Sequence, residues 1–294
     1  MKPLVDIVTL LQQKLVAGTA AEQRLADVIL QDVEAASRLS IADLAERASV
    51  SEPTVTRLAT SMGLEGTRDL KLSLAQAIAI GGSYVSGDDD VEDGDTGQDS
   101  LGLISRYAIQ AIRDVSKSLT PDALEEISDA LAKAKMVQIF GTGGVSSMAA
   151  QQMEFRLFRL GLNVRVPLDG RLQRMNAALA SADAVFIGFS LSGAASSVID
   201  SLNIGRQYGA RTFAITPPST PLARCADTVI PYRYVEDGHI YKPNSASFAL
   251  MAIMDAIAFR TAEIMGPQVI ENLRRIKQTL TIAETYDATL PLGD

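Results

Sequence analysis

The sequence predicts an all-helical amino-terminal domain followed by an α/β domain, a five-stranded parallel sheet flanked by helices. Three observations carry this. Apolar residues near the amino terminus recur at helical spacing. Five short apolar runs beyond Lys135 are mostly separated by helix-length segments, the pattern of a parallel sheet covered on both faces. Between the two regions lies an acidic Gly/Asp-rich run that cannot bury a core. The expected layout is 1–80 helical, 81–100 linker and 101–285 α/β.

Ile41, Leu44, Ala45 and Ala48 stand at i, i+3, i+4 and i+7, and Val55, Leu58, Ala59 and Met62 repeat the spacing. Ser49 and Val50 leave room only for a tight turn. Ser51 suits an N-cap and Pro53 the first turn behind it. Two short helices therefore cross, a helix-turn-helix over Ser40 to Leu74. With Val55, Leu58 and Met62 inward, the rotation puts Thr56, Arg57 and Thr60 on the outer face, with Ser51, Glu52 and Thr54 at the leading end. That is the layout of a helix that enters a major groove. Arg57 suits guanine or phosphate, the hydroxyls suit phosphate oxygens or base edges, and Arg68 and Lys71 suit backbone clamping. An αα-hairpin with a solvated polar face has the same pattern, and spacing alone leaves both open.

Beyond the linker, Leu101 to Leu119 and Asp122 to Ala134 read as helices, the second capped at Thr120 with Pro121 at its first position. Strands are expected at Met136 to Phe140, Asn163 to Val166, Ala184 to Phe189, Thr212 to Thr216 and Thr228 to Pro231. Parallel sheets hold ligands at the carboxyl ends of their strands, and glycine and serine collect there. Gly141, Thr142, Gly143, Gly144, Val145, Ser146 and Ser147 precede a helix expected over Met148 to Leu160. Glycines let backbone N–H groups converge, and the helix terminus favours an anion such as phosphate; a plain strand-to-helix turn also uses glycine. The Walker lysine is missing, and Ser146 stands where the dinucleotide fingerprint needs glycine. Ser190, Leu191, Ser192 and Gly193 precede a second helix, Ala194 to Tyr208, and add donors for the same anion. Helices from Ser245 to Met265 and Gln268 to Thr279 close the pattern, rich in residues suited to packing or self-association.

The net charge of -8 opposes a phosphate-binding surface, but its location resolves most of this. Asp88, Asp89, Asp90, Glu92, Asp93, Asp95 and Asp99 fall in one run with no Lys or Arg. In the helical pair, Arg38, Arg47, Arg57, Arg68 and Lys71 balance Asp43, Glu46, Glu52, Glu65 and Asp69. One copy should bind DNA weakly, so salt-sensitive binding as a dimer is expected. The single cysteine, Cys225, allows no intrachain disulfide and no zinc cluster. No apolar run approaches a membrane span and the first residues lack a signal-peptide layout, so a cytoplasmic protein is expected. With no tryptophan, base-stacking platforms are poorly supported.

The stretch VSEPTVTRLATSMGLEGTRDLKLSLAQ resembles the amino-terminal domain of the RpiR family of bacterial transcriptional regulators, through Val50, Ser51, Thr54, Arg57, Gly63, Gly66 and Lys71. The resemblance implies double-stranded operator DNA read by a homodimer or homotetramer. Leu124 to Ala262, with its two serine loops, resembles the sugar isomerase (SIS) domain. That likeness implies that Ser146 or Ser147, with Ser190 and Ser192, binds phosphate or sugar hydroxyls, with Gly141, Gly143, Gly144 and Gly193 shaping the loops. One departure stands out: the family's SGxTxE appears here with Ala195 for Thr and Ser197 for Glu, leaving Ser196 or Ser197 to compensate. The segments SEPTVTRL, SLAQAI, LQRM, STPLAR and YVEDGHIYKP resemble the HexR subgroup. This implies control of glucose catabolism through the Entner-Doudoroff route, with 2-keto-3-deoxy-6-phosphogluconate as effector and a repressor's role. Such a ligand carries a carboxylate opposite its phosphate, for which Arg174 or Arg171 is a candidate; both also read as surface residues. The alternative is a phosphosugar isomerase, which needs a positioned base. Only His239 and Glu154 offer themselves, each with an ordinary explanation, so no catalytic residue, cofactor or metal is expected.

Overall fold

The computed structural model describes residues 6–81, 100–232 and 245–283. The acidic run over 87–99, His239 and the YVEDGHIYKP segment lie outside these residues. The described chain falls into two compact units, 6–81 in one and the remainder in the other.

The first unit is helical: α1 (Ile7–Ala17), α2 (Ala20–Gln31), α3 (Val33–Arg38), α4 (Ile41–Arg47), α5 (Glu52–Ser61) and α6 (Thr67–Gly81). The apolar stripes of α4 and α5 do what their spacing requires. Leu44, Ala45, Val55, Leu58 and Ala59 join Leu11, Leu25, Ile29, Leu70 and Leu74 in one core. The turn between them uses Ser49 with φ 51, a left-handed backbone that ends α4 sharply. Asp6, Thr19, Asp32 and Ser40 cap α1 to α4 through their side chains. Ser51 occupies the N-cap position of α5 as expected, but its hydroxyl makes no cap bond.

The second unit runs α7 (Ser100–Ser118), α8 (Pro121–Lys133), β1 (Met136–Gly141), α9 (Gly144–Arg159), β2 (Val164–Arg165), α10 (Gly170–Ala177), β3 (Ala184–Phe189), α11 (Ser196–Gln207), β4 (Arg211–Thr216), α12 (Pro221–Cys225), β5 (Thr228–Pro231), α13 (Ala246–Met265) and α14 (Pro267–Ala283). The five strands pair in parallel in the order β2-β1-β3-β4-β5. Side chains alternate across the sheet: Val137, Ile139, Val185, Ile187 and Phe189 enter the core under α7, α8, α9 and α13, while Phe140, Ala184 and Phe186 enter the core under α10, α11 and α12. Burial on both faces explains why β3, AVFIGF, reads as an unbroken apolar run.

Two differences from the sequence expectation matter for the site. Helix α9 begins at Gly144 rather than Met148, so Ser146 and Ser147 lie inside its first turn. Helix α10 follows the second strand, and its inward residues are Gln173 and Ala177 while Leu172 and Met175 face solvent. Polar links hold it to the sheet. Gln138 Nε2 on β1 donates to the Asn176 carbonyl at 3.1 Å, and Gln173 Nε2 donates back to the Gly141 and Pro167 carbonyls at 3.0 Å each.

Candidate functional site

Two places in the described residues collect the expected site residues. The first is the outer face of α5, where Glu52, Thr56, Arg57 and Thr60 are exposed. Ile41, Glu52, Pro53, Thr56 and Arg57 line a shallow groove beside it. Thr54, expected at the leading end, is buried instead, because it stands four residues before Leu58 and so lies along the stripe that packs into the core. Its hydroxyl lies 2.9 Å from the Ser51 hydroxyl and accepts from Arg57 Nη2 at 3.0 Å. Ser51 and Thr54 thus form a bracket behind Arg57. Thr60 donates to the Thr56 carbonyl at 2.6 Å. Arg68 is exposed and Lys71 half-buried on α6.

Glu22 is a residue that the sequence reading passed over, although Thr19 and Glu22 spell a capping box. Its carboxylate accepts from the Thr19 amide at 2.8 Å, the Thr19 hydroxyl at 3.0 Å, Lys14 Nζ at 3.2 Å and Ser61 Oγ at 3.1 Å. The Thr19 amide leads in holding this carboxyl down to about 2, against the opposing effect of burial. Glu22 joins α1, the start of α2 and the carboxyl end of α5.

The second place is the carboxyl edge of the sheet. Gly141 at the end of β1 is paired with Phe189 at the end of β3, so the loops that follow start side by side. They leave for opposite faces, α9 over one and α11 over the other, which makes this the topological switch point where open α/β sheets form a crevice. In this unit α8, α10 and α12 are capped by the side chains of Thr120, Asp169 and Thr220. Helix α13, with Ser245 at the cap, has no side-chain cap bond, and neither do the two helices that follow the adjacent strands β1 and β3, α9 and α11, with Gly143 and Ala195 at the cap. Their first N–H groups are left for another acceptor, at the positive ends of two helix dipoles.

The glycines are required by close approach. A methyl at Gly141 would overlap the Ser146 carbonyl oxygen, and one at Gly193, where φ is +67, would overlap Thr220. Ser146 and Ser190 are buried. Ser190 Oγ accepts the Gly193 amide at 3.0 Å and lies 3.5 Å from Ser192 Oγ, which is exposed and accepts the Ala194 amide at 3.3 Å. Ser147 turns its hydroxyl back to the Gly143 carbonyl. The expected serines and glycines are therefore brought to one edge. Thr216 and Thr220, which sequence reasoning did not single out as site residues, complete it: Thr216 Oγ1 donates to the Ser190 carbonyl at 2.9 Å and stands 3.4 Å from Thr220 Oγ1.

Arg174 does not stand open as expected. Its Nε and Nη2 meet Asp200 Oδ2 at 2.8 and 2.7 Å, and Nη1 donates to the Gly170 carbonyl at 3.1 Å. It binds α10 to α11. Arg171, at the first turn of α10, is exposed. Glu154 lies on α9, and burial pushes its carboxyl up. Among the described residues no group of three or more His, Cys, Asp or Glu could hold a metal ion, and no helix is long and apolar enough to cross a membrane.

Comparison with known proteins covers both units. Residues 5–81 match the helix-turn-helix domain of the rpiR family, and residues 130–260 match the SIS domain. The chain is similar to the HTH-type transcriptional regulator HexR of Pseudomonas aeruginosa, with 32% identity over 92% of this chain and 94% of that one. It is similar to HexR of Escherichia coli, with 32% identity over 97% of each. Among solved structures, the NanR protein of Vibrio vulnificus complexed with ManNAc-6P shares the fold, with a TM-score of 0.59 and 19% identity over 96% of this chain and 100% of that one.

Proposed function

The chain belongs to the HexR-type helix-turn-helix transcriptional regulators of the RpiR family, which carry a SIS domain, and on that premise we propose that it represses genes of glucose catabolism until a phosphorylated sugar acid binds its α/β unit. The observation that carries the sensing is the pair of helix N-termini without side-chain caps, α9 and α11, opening from neighbouring strands at the switch point. A phosphate there would accept from backbone N–H groups, with Ser146, Ser147, Ser190 and Ser192 supplying hydroxyls. Gly141, Gly143, Gly144 and Gly193 keep the backbone close.

The proposed effector is 2-keto-3-deoxy-6-phosphogluconate. Its carboxylate suits Arg171, exposed on α10, or Arg174 once that side chain leaves Asp200. Two copies of the chain would read a palindromic operator in the cytoplasm, with Arg57, Thr56, Thr60 and Glu52 at the bases and Arg68 and Lys71 at the phosphates. Thr54 and Ser51 act behind Arg57. The domains we assign are 1–80 for DNA and 101–285 for the effector, with 81–100 as a linker.

An effector changes operator binding only through different affinity for two states of the regulator. The test is a gel shift on the promoter regions near the chain's own gene, with and without 2-keto-3-deoxy-6-phosphogluconate and 6-phosphogluconate. Release by the first at lower concentration supports the reading. DNA binding that ignores every phosphorylated sugar acid overturns the sensor, and turnover of a sugar phosphate would favour the isomerase.

A further inference from the structure

Helix α10 meets the end of β1 on one side and helix α11 on the other, and it does so largely through polar groups. On one side Gln173, fully buried, donates both amide hydrogens, one to the Gly141 carbonyl and one to the Pro167 carbonyl, each at 3.0 Å. Both neighbours are acceptors, so the orientation of this amide is settled by chemistry. Its Oε1 is buried and has no hydrogen-bond partner among the described residues, so the side chain is held by its donors alone. Gly141 is the residue against which the first turn of α9 is pressed, at the Ser146 carbonyl. On the other side α10 reaches α11: a methyl at Gly170 would lie 2.9 Å from Ser197 Cβ, and Arg174 is paired with Asp200.

We propose that Gln173 is a positioning residue of the effector site, pinning the end of β1 so that the glycine loop and the first turn of α9 present their N–H groups to an anion. This rests on the reading of the switch-point crevice as the effector site. Gln138 provides the comparison. It is equally buried and ties α10 to β1 by the Asn176 carbonyl, but it sits three residues before Gly141 and bonds neither loop. If buried glutamines merely hold α10 in place, the two are interchangeable.

The experiment uses the full chain with Gln173→Met and Gln138→Met, which keep the volume and remove the donors. Hydrogen exchange is followed over residues 141–148, and binding of 2-keto-3-deoxy-6-phosphogluconate and of inorganic phosphate is measured by calorimetry. Gln173→Met is expected to exchange about tenfold faster in that segment and to bind about tenfold more weakly, because the Gly141 and Pro167 carbonyls both lose their donor and only the Gly141 carbonyl borders the glycine loop. Gln138→Met is expected to leave loop exchange and affinity as in the wild type. Equal changes in both variants, or unchanged loop exchange in Gln173→Met, overturn the inference. Should Gln173→Met fail to fold, the side-chain amide resonances of the wild type answer the same question. Those of Gln173 should shift on adding the ligand and those of Gln138 should not; both moving, or neither, overturns it. If the wild type binds neither probe while loop exchange behaves as expected, the effector reading fails and the positioning role stands.

Discussion

Gly193 and Thr220 are packed so closely that no side chain fits between them. Gly193 closes the serine loop after β3 with φ +67, and the Thr220 side chain occupies the space that a Cβ would need. Thr220 in turn caps α12 through the Ala223 amide and touches Thr216, whose hydroxyl holds the Ser190 carbonyl. The loop's shape is thus fixed by a residue from the next strand's loop.

Gly193→Ala therefore forces both a left-handed backbone on alanine and a displacement of Thr220. A loss of about 1–3 kcal/mol in stability is expected, with effector affinity falling further than the melting temperature suggests, because Ser190 and Ser192 move with the loop. Thermal unfolding and effector titration on the same preparation check this. Wild-type affinity in the variant would show that the loop's shape does not matter to the ligand.

Asp200→Asn releases Arg174 from its ion pair. Both groups are about half exposed, so the pair contributes at most about 1 kcal/mol and the variant should fold normally. If Arg174 serves the effector's carboxylate, affinity for 2-keto-3-deoxy-6-phosphogluconate should rise severalfold, while that for glucose 6-phosphate, which has no carboxylate, stays constant. Calorimetry with the two ligands separates these outcomes. A fall for both would assign Arg174 to holding α10 against α11.

On the operator side, Arg57→Ala should weaken binding by about 1–3 kcal/mol if Arg57 pairs with a guanine. Thr54→Val keeps the shape but removes the acceptor that holds Arg57. A smaller loss, about 1 kcal/mol, is expected. Arg68→Ala should instead lower the slope of affinity against salt by about one ion. Fluorescence anisotropy at several salt concentrations distinguishes base contact from phosphate contact, and an unchanged slope removes Arg68 from the DNA backbone.

Where burial is apolar and local spacing decides the face, the sequence is readable. Leu44, Val55 and Leu58 repeat at helical intervals, and Val137, Ile139, Val185 and Ile187 lie in short runs covered on both sides. The glycine and serine loops are readable because few residue types tolerate such turns. Helix α10 is not, since its buried position is Gln173 and its leucine and methionine face out, so its hydrophobic spacing points to the wrong side. Thr54 misled for a related reason: it stands three residues before exposed Arg57 and four before buried Leu58, so it falls at the border between the outer face and the core. Thr220 was legible only as part of a motif, because its partner Gly193 belongs to a different loop.

Glu22's carboxyl is held at about 2 in the folded chain, first by the Thr19 amide and then by the Thr19 hydroxyl, Lys14 and Ser61. Its ordinary value is 4.5. A carboxyl depressed by folding gives stability that is complete above the unfolded value and is lost as pH falls towards the folded one. The window is therefore from about 4.5 down to about 2. Asp6 and Asp43 are also held low, by Thr9 and by Ser40 respectively, so the whole unit weakens in acid. Only the difference between wild type and Glu22→Gln reports on Glu22. Urea unfolding midpoints at pH about 5 and about 3 should fall more steeply in the wild type than in the variant, whose uncharged amide has no proton to take up. Because Ser61 ends α5, operator affinity at neutral pH should also drop in Glu22→Gln. Parallel midpoints with unchanged operator affinity would remove Glu22 from both roles.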